Sequence, residues 1–295
     1  MRPLVVIAGP TGVGKSRLAL RLAEALRGEI VNYDSVQIYR GFDIGSAKPS
    51  LEERARVPHH LFDVVDAEDE FNAADFARLA RAACEEIEAR GHRAVLAGGT
   101  FFYLRALLAG LPEMPGRDAA LRARLKRIPP ARLHRWLSKV DPQSGRKIAP
   151  ADRHRVERAL EVWITSGRPI SSWEHAMEEI PSIKIALSLE RPALVAALDR
   201  RIEAMYANGL VEETRQLLAR YPRGARPFGA IGYAEAVSVV MGERTLEEAV
   251  AETRRRTRAY AKRQMTWLRA ERNVHWVDAR NLDEATHAAL RLIET

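Results

Sequence analysis

The chain has 295 residues, 46% of them hydrophobic and 29% charged, which is sufficient for a buried core and excludes large-scale disorder. Its one cysteine, Cys84, excludes an internal disulfide framework and favours a reducing compartment. No apolar run approaches the roughly 20 residues of a membrane span, so we expect a cytoplasmic protein without a membrane partner.

The net charge of +8 is unevenly distributed along the chain. Residues 1–110 have a net charge of −1, residues 111–190 of +5 and residues 191–295 of +4. A basic region of this kind favours a polyanionic partner such as a nucleic acid. The 40 arginines against 7 lysines leave codon bias as an alternative source of the excess.

Short apolar runs alternate with amphipathic segments over residues 1–110, which is typical of βαβ units and a parallel sheet. Strands are predicted at 4–8, 29–34 and 93–97, and helices at 16–27 and from Asn72 to about residue 90.

Six prolines between residues 111 and 150 interrupt the next part of the chain. Only short helices are predicted there, at 118–128, 131–140 and 152–166. Later strands are predicted at 183–189 and 274–277, and later helices at 192–207 and 246–270. The fold class is therefore α/β, a P-loop NTPase-like parallel sheet flanked by helices, with an all-helical insertion. We assign the core to 1–112 and 186–295, and the insertion to 113–185.

A phosphate-binding loop is predicted between the first strand and the first helix. The pattern GxxxxGK[ST] is matched by Gly9, Pro10, Thr11, Gly12, Val13, Gly14, Lys15 and Ser16. Backbone N–H groups of such a loop converge on phosphate oxygens at a helix N-terminus. Lys15 would contact the terminal phosphate, and the Ser16 hydroxyl could bind Mg²⁺. At the level of the motif alone, the loop could bind ATP or the diphosphate group of another substrate.

No carboxylate follows the strand 93–97, which ends in Gly98, Gly99 and Thr100. A nucleoside triphosphatase usually has a magnesium-supporting acid at such a position. Asp63 and Asp66 are weak substitutes. This pattern favours a loop that holds a departing diphosphate over one that hydrolyses ATP.

The order of motifs along essentially the whole chain resembles the tRNA dimethylallyltransferase family. Besides the phosphate loop, the resemblance rests on DSVQIYRG from Asp34, DIGSAKP from Asp43, GGT from Gly98 and AKRQMTWLR from Ala261. It implies transfer of the dimethylallyl group from dimethylallyl diphosphate to the exocyclic amine of the adenine 3′-adjacent to the anticodon in tRNA. Pyrophosphate would be released.

The resemblance also implies roles for individual residues. Asp34 would be the general base, and Thr100 would orient the adenine. Arg201 would join residues 9–16 in diphosphate binding, with Mg²⁺ as the cofactor and Ser16 as its ligand. The positions that match tRNA contacts in the family are Asp34, Ser35, Val36, Gln37, Thr100, Arg122, His154, Arg155, Val156, Glu157 and Arg158.

Simpler interpretations exist for several of these residues. Asp34 could form a turn at the end of a strand. Arg155 and Arg158 could form a solvated helix face. Trp163 and Trp267 suit core packing better than base stacking.

Three other functions also fit parts of the pattern. They are an adenylate prenyltransferase acting on free nucleotide, a small-molecule kinase and a non-catalytic RNA-binding module. A free nucleotide does not need the basic insertion, and a binding module has no use for Asp34 beside a diphosphate loop. We therefore expect a monomeric enzyme whose partners are dimethylallyl diphosphate and the tRNA anticodon loop.

Overall fold

The structure is a computed structural model that describes residues 2–173 and 179–294. It consists of two compact units, Met1–Leu108 with Glu179–Thr295, and Ala109–Glu178. The predicted boundary at residues 185 and 186 needs correction, because it falls inside a strand, Ser182–Ser188, that pairs with the first strand of the chain. The second unit therefore begins four residues before the predicted start of the insertion and ends seven residues before its predicted end.

Within the described residues, six parallel strands form the centre of the first unit. Their order is β3-β2-β4-β1-β5-β6. Their bounds are β1 Leu4–Ala8, β2 Gly28–Asn32, β3 His59–His60, β4 Arg93–Ala97, β5 Ser182–Ser188 and β6 Val274–Asp278. All residues of β1 and β2 are buried, as expected for parallel strands covered by helices on both faces.

The helices occur in three groups along the chain. The first group, which follows the first strands, comprises α1 Lys15–Ala25, α2 Leu51–Arg56, α3 Ala73–Ala89 and α4 Phe101–Ala109. The insertion comprises α5 Ala119–Leu125, α6 Pro130–Val140, α7 Pro142–Lys147 and α8 Arg153–Ser166. The last group comprises α9 Arg191–Ala207, α10 Leu210–Leu218, α11 Tyr233–Val240, α12 Leu246–Ala270 and α13 Leu282–Glu294.

One core of the first unit lies between the sheet and the helices α1 and α13. Val5 and Ile7 of β1 are fully buried there against Leu18 and Leu22 of α1. Ala289 of α13 belongs to the same cluster. This packing fixes the start of α1, and with it the loop that precedes α1, at the carboxyl edge of the sheet.

The described residues of the insertion form a helical unit with its own apolar core. Leu133 and Leu137 of α6 pack with Val156 and Leu160 of α8. Trp163 makes an edge contact with the ring of Trp136, with centroids 6.0 Å apart. In the first unit, Trp267 stacks on Phe101 at 4.4 Å. Trp163 and Trp267, for which core packing was the favoured interpretation, thus both pack against other aromatic rings.

Among the described residues, none of the helices is both long and apolar enough to cross a membrane.

Candidate active site

The predicted phosphate-binding loop, residues 9–16, connects β1 to α1 at the carboxyl edge of the sheet. Gly9, Gly12 and Gly14 have φ angles of 147°, 78° and 103°, which L-residues rarely adopt. A Cβ at Gly12 would also lie 2.6 Å from Cδ2 of Leu198 in α9. Glycine at this position therefore permits both the turn and the close approach of α9.

Lys15 folds back over the loop. Its Nζ donates to the carbonyl oxygens of Gly9 at 3.0 Å and Pro10 at 2.9 Å. Burial and the neighbouring Arg201 lower the pKa of Lys15 to about 7, while Asp34 acts in the opposite direction. Burial also lowers the pKa of Arg201. Because two cations are desolvated side by side, an anionic ligand would stabilise both charged forms.

Asp34 follows β2 and forms a turn as well as facing the site. Its Oδ1 accepts a hydrogen bond from the N–H of Val36 at 2.9 Å, and its own N–H donates to Oδ1 of Asn32 at 2.9 Å. The turn thus uses one carboxylate oxygen. The other, Oδ2, lies on the side of Gly99, 3.2 Å from the position that a Cβ on Gly99 would take.

Thr100 follows β4, the neighbour of β2 in the sheet. Its Oγ1 accepts from the N–H of Ser35 at 3.0 Å and donates to Oγ of Ser35 at 3.1 Å. The approach of the two strand ends requires glycine at position 98, where a Cβ would lie 2.5 Å from the carbonyl carbon of Tyr33. The structure therefore brings Thr100, Ser35 and Asp34 together.

Two cavities adjoin at Asp34. The first, of about 260 Å³, is lined by the phosphate-binding loop, and the second, of about 390 Å³, by Ser35, Val36 and Thr100. The residues that line both cavities are Thr11, Asp34, Ser46, Arg201 and Tyr260. A ligand in one cavity and a ligand in the other would consequently both be near Asp34 and Arg201.

Two residues of α12, to which the sequence argument gave no role, connect the loops of the site. Gln264 accepts from the N–H of Thr11 at 2.8 Å and donates to the carbonyl of Gly99 at 2.9 Å. The hydroxyl of Tyr260 donates to the same carbonyl at 2.7 Å. Tyr260 and Gln264 are one helical turn apart, and the string AKRQMTWLR from Ala261 contains Gln264 but not Tyr260. Neither residue belongs to a general sequence motif that predicts these hydrogen bonds.

The side chains of Gln37 and Arg201 both donate to backbone carbonyls of the segment 46–47, which lines the first cavity. Nε2 of Gln37 donates to the carbonyls of Ser46 at 3.0 Å and Ala47 at 3.1 Å. Nη2 of Arg201 donates to the carbonyl of Ser46 at 3.5 Å. The predicted contact of Gln37 with tRNA stays a prediction, and its amide nitrogen is already bonded within the protein.

In the insertion, Arg122 and Arg158 bind one buried carboxylate. Arg122 forms two parallel hydrogen bonds of 2.8 Å with Glu161, and Arg158 donates to Glu161 at 2.7 Å. Although burial of Glu161 acts in the opposite direction, hydrogen bonds from the two arginines lower its pKa to about 2. Both arginines therefore stabilise this unit, and their predicted contact with tRNA stays a prediction.

The run from His154 to Glu157 divides between the surface and the core. His154 and Arg155 are exposed, and Arg155 pairs with Asp152 at 2.6 Å. Val156 is buried in the apolar core, and Glu157 is buried and pairs with Arg153 at 2.6 Å. Of these four predicted tRNA contacts, only His154 and Arg155 present exposed side chains.

Ser16 is the one predicted metal ligand, and its exposed side chain lines the first cavity. Among the described residues, no group of three or more His, Cys, Asp or Glu side chains could hold a metal ion. The described residues therefore do not supply all the ligands of a metal ion. The Ser16 hydroxyl fits Mg²⁺ that takes its other ligands from water and the phosphates of a substrate, as Mg²⁺ commonly does.

Comparison with known protein families identifies one match. Residues 37–271 match the family model described as IPP transferase.

Two curated relatives cover nearly the whole chain. The chain is 48% identical to tRNA dimethylallyltransferase 1 of Citrifermentans bemidjiense, over 93% of this chain and 92% of the relative. It is 44% identical to the tRNA dimethylallyltransferase of Geobacter sulfurreducens, over 98% of this chain and 96% of the relative.

Solved structures with the same fold include a bacterial and a eukaryotic protein. The full-length tRNA isopentenylpyrophosphate transferase of Bacillus halodurans matches with a TM-score of 0.74 and 37% identity, over 100% of this chain and 97% of that one. A eukaryotic dimethylallyltransferase acting on tRNA matches with a TM-score of 0.83 and 28% identity, over 98% of this chain and 78% of that one.

Proposed function

The chain belongs to the IPP transferase family, and from that premise we propose that it is a tRNA dimethylallyltransferase. It transfers the dimethylallyl group from dimethylallyl diphosphate to the exocyclic amine of the adenine 3′-adjacent to the anticodon, and it releases pyrophosphate. The observation that supports this function best is the junction of two cavities at Asp34, with the phosphate-binding loop on one side and Thr100 on the other.

The first cavity suits the diphosphate of the donor. Lys15 and Arg201 supply positive charge there, and backbone N–H groups of the loop add partial charges at the start of α1. As the bond between the allylic carbon and oxygen breaks, negative charge grows on the pyrophosphate. Cations already fixed and desolvated at that position stabilise the transition state more than the ground state.

Asp34 accepts the proton that the adenine amine loses. The amine nitrogen forms a bond to the allylic carbon, pyrophosphate departs with the electrons of the broken bond, and the proton moves to the carboxylate. The turn around Asn32 and Val36 uses only Oδ1, so Oδ2 is available as the acceptor. Thr100, whose hydroxyl is fixed by Ser35, orients the base beside it.

Mg²⁺ bound to the diphosphate would supply charge neutralisation for the leaving group. Ser16 is the side chain that would hold it, and the remaining ligands would come from phosphate oxygens and water. The protein's own contribution is to fix the diphosphate with the loop, Lys15 and Arg201.

The acceptor adenine has to leave its stack in the anticodon loop to reach the second cavity. Exposed basic residues such as Arg155 suit contact with the RNA backbone. The basic composition of residues 111–190 supports the insertion as an RNA-binding unit. A monomer in the cytoplasm, where tRNA is available in a reducing environment, completes the proposal.

Label transfer tests the function against its nearest rivals. Purified protein with dimethylallyl diphosphate labelled in the prenyl group should label tRNA and leave free AMP unlabelled. Label in AMP alone would indicate an adenylate prenyltransferase. Transfer of phosphate from ATP without prenyl transfer would indicate a kinase.

A further inference from the structure

Ser46 and Ala47 line the first cavity, and α10 holds the three residues that precede them, 43–45. Glu213 of α10 accepts hydrogen bonds from the N–H groups of Asp43 at 3.2 Å, Ile44 at 2.8 Å and Gly45 at 3.4 Å. Three successive backbone donors therefore converge on one carboxylate. Glu213 itself lines neither of the two cavities.

Tyr233 of α11 completes the contact. Its hydroxyl donates to Oε1 of Glu213 at 2.6 Å and accepts from the N–H of Gly45 at 3.1 Å. The ring is fully buried, and a Cβ on Gly45 would lie 2.5 Å from two of its carbon atoms. The backbone at Gly45 thus packs directly on the tyrosine, which leaves the segment little freedom to shift.

The next residue, Ser46, faces the site. Its carbonyl oxygen accepts from Arg201 at 3.5 Å and from Gln37 at 3.0 Å. Ser46 and Arg201 line both cavities. The backbone of residues 43–46 consequently connects the hydrogen bonds of Glu213 at one end to the hydrogen bond of the Arg201 guanidinium at the other.

We propose that Glu213 is a positioning residue for the diphosphate. By fixing the backbone of residues 43–45, it holds the Ser46 carbonyl, and through that carbonyl it orients Arg201 toward the leaving group. This inference rests on the proposed function, because the diphosphate is the ligand that Arg201 would contact.

Substitution of Glu213 by glutamine tests the role. The variant E213Q keeps the size of the side chain, removes its charge and replaces one acceptor oxygen with a donor amide. Hydrogen bonds to a charged group are stronger than neutral ones, so we expect the KM for dimethylallyl diphosphate to rise about tenfold or more. Because Arg201 also stabilises the charge that grows on the departing pyrophosphate, kcat should fall as well, whereas the KM for tRNA should stay within about twofold.

Glu212 provides the matched control, because it precedes Glu213 on α10 but is exposed and pairs with Arg215. E212Q removes the same charge from the same helix and should leave all kinetic constants unchanged. Calorimetry with inorganic pyrophosphate should show the same weakening in E213Q and none in E212Q.

A double-mutant cycle with Arg201 distinguishes positioning from general destabilisation. If Glu213 acts through Arg201, E213Q should weaken pyrophosphate binding by less than about twofold further in an R201Q background. Additive effects of the two substitutions would overturn the proposal, since they would mean that Glu213 acts by another route.

Thermal unfolding shows whether E213Q folds and therefore whether its kinetic constants can be measured. If E213Q does not fold, Y233F removes only the hydroxyl that bonds Glu213 and Gly45, and the same KM should rise about threefold. Unchanged KM and pyrophosphate affinity in folded E213Q, or in Y233F where E213Q fails to fold, would overturn the inference. Wild-type protein that binds no pyrophosphate and transfers no prenyl group would instead refute the proposed function, and the inference with it.

Discussion

Asp34 combines a structural and a chemical role in one carboxylate. Oδ1 closes the turn with Val36, and Oδ2 lies toward Gly99 at the junction of the cavities. The simpler interpretation from sequence, a turn at a strand end, is therefore correct for one oxygen and leaves the other available. A substitution that keeps the turn and removes the base separates the two roles.

The variant D34N makes that separation. Its amide oxygen can still accept from Val36, so binding of donor and tRNA should change little. Turnover should fall by about 10²–10⁴-fold, the usual contribution of a positioned general base. Single-turnover kinetics with saturating substrates measure the loss, and turnover near the wild-type value would remove Asp34 as the base.

The lowered pKa of Lys15 predicts that diphosphate binding depends on pH. A bound diphosphate favours the protonated amine, whose pKa without ligand is lowered to about 7 by burial and Arg201. Below pH 7 the amine is already charged, and above it each pH unit should weaken binding by up to about tenfold through this group. Calorimetric titration of pyrophosphate from pH 6 to 9 measures the slope.

The control for this prediction is K15R, which keeps the positive charge without titrating in that range. Pyrophosphate titrates equally in both experiments, so the difference in slope isolates Lys15. Equal slopes for wild type and K15R would contradict the assignment. The same lowered pKa also makes folding more favourable as pH rises from about 7 toward 10, because the unfolded chain binds the proton more tightly.

At the scale of elements, helix α8 presents two kinds of arginine. Arg155 is exposed and pairs with the neighbouring Asp152, whereas Arg158 binds the buried Glu161. The family resemblance implied contact with tRNA for both arginines, and the sequence does not reveal which face of the helix meets the buried carboxylate.

Alanine substitutions should separate these arginines. R155A should weaken tRNA binding and reduce the slope of log K against log salt by about 1, with stability unchanged. R158A should lower the free energy of unfolding by about 1–3 kcal/mol, because Glu161 loses one of its two cations. Binding titrations over a range of salt and chemical denaturation measure the two effects. An unaltered salt slope for R155A would indicate a merely solvated side chain.

Elements with strong local signals could be predicted from sequence. The strands 4–8 and 93–97 and the helix 246–270 are confirmed to the residue, since continuous apolar runs or a capping threonine mark them. Helix α4 is mostly buried and apolar on nearly all sides, so it lacks the periodicity that indicates a helix. Strand β3 has only two residues, both histidine, and no strand pattern.

The candidate site likewise contains residues that local sequence signals predict and residues that they do not. Asp34 and Thr100 could be predicted as neighbours because each follows a strand of one parallel sheet. Gln264 and Glu213 could not, because each contacts a loop that lies more than about 150 residues away in the chain, through packing of helices. Neither spacing nor residue type indicates which helix will contact a loop so distant in the chain.

At the scale of the whole molecule, charge and chemistry occupy different parts of the sequence. Residues 1–110 contain the phosphate-binding loop, Asp34 and Thr100 and are nearly neutral, whereas residues 111–190 have a net charge of +5. A free nucleotide would need only the first of these. The basic insertion, with its own core, therefore supports a macromolecular polyanion as the acceptor.

Mass analysis of tRNA nucleosides tests the proposed prenyl transfer to tRNA. The protein is incubated with tRNA lacking the modification, dimethylallyl diphosphate and Mg²⁺, and the tRNA is then digested to nucleosides and, separately, to mapped fragments. We expect one adenosine heavier by a C5H8 group, in the fragment that contains the anticodon and on its 3′ side. Unmodified tRNA together with prenylated AMP in a parallel reaction, or a prenyl group at another position of the tRNA, would contradict it.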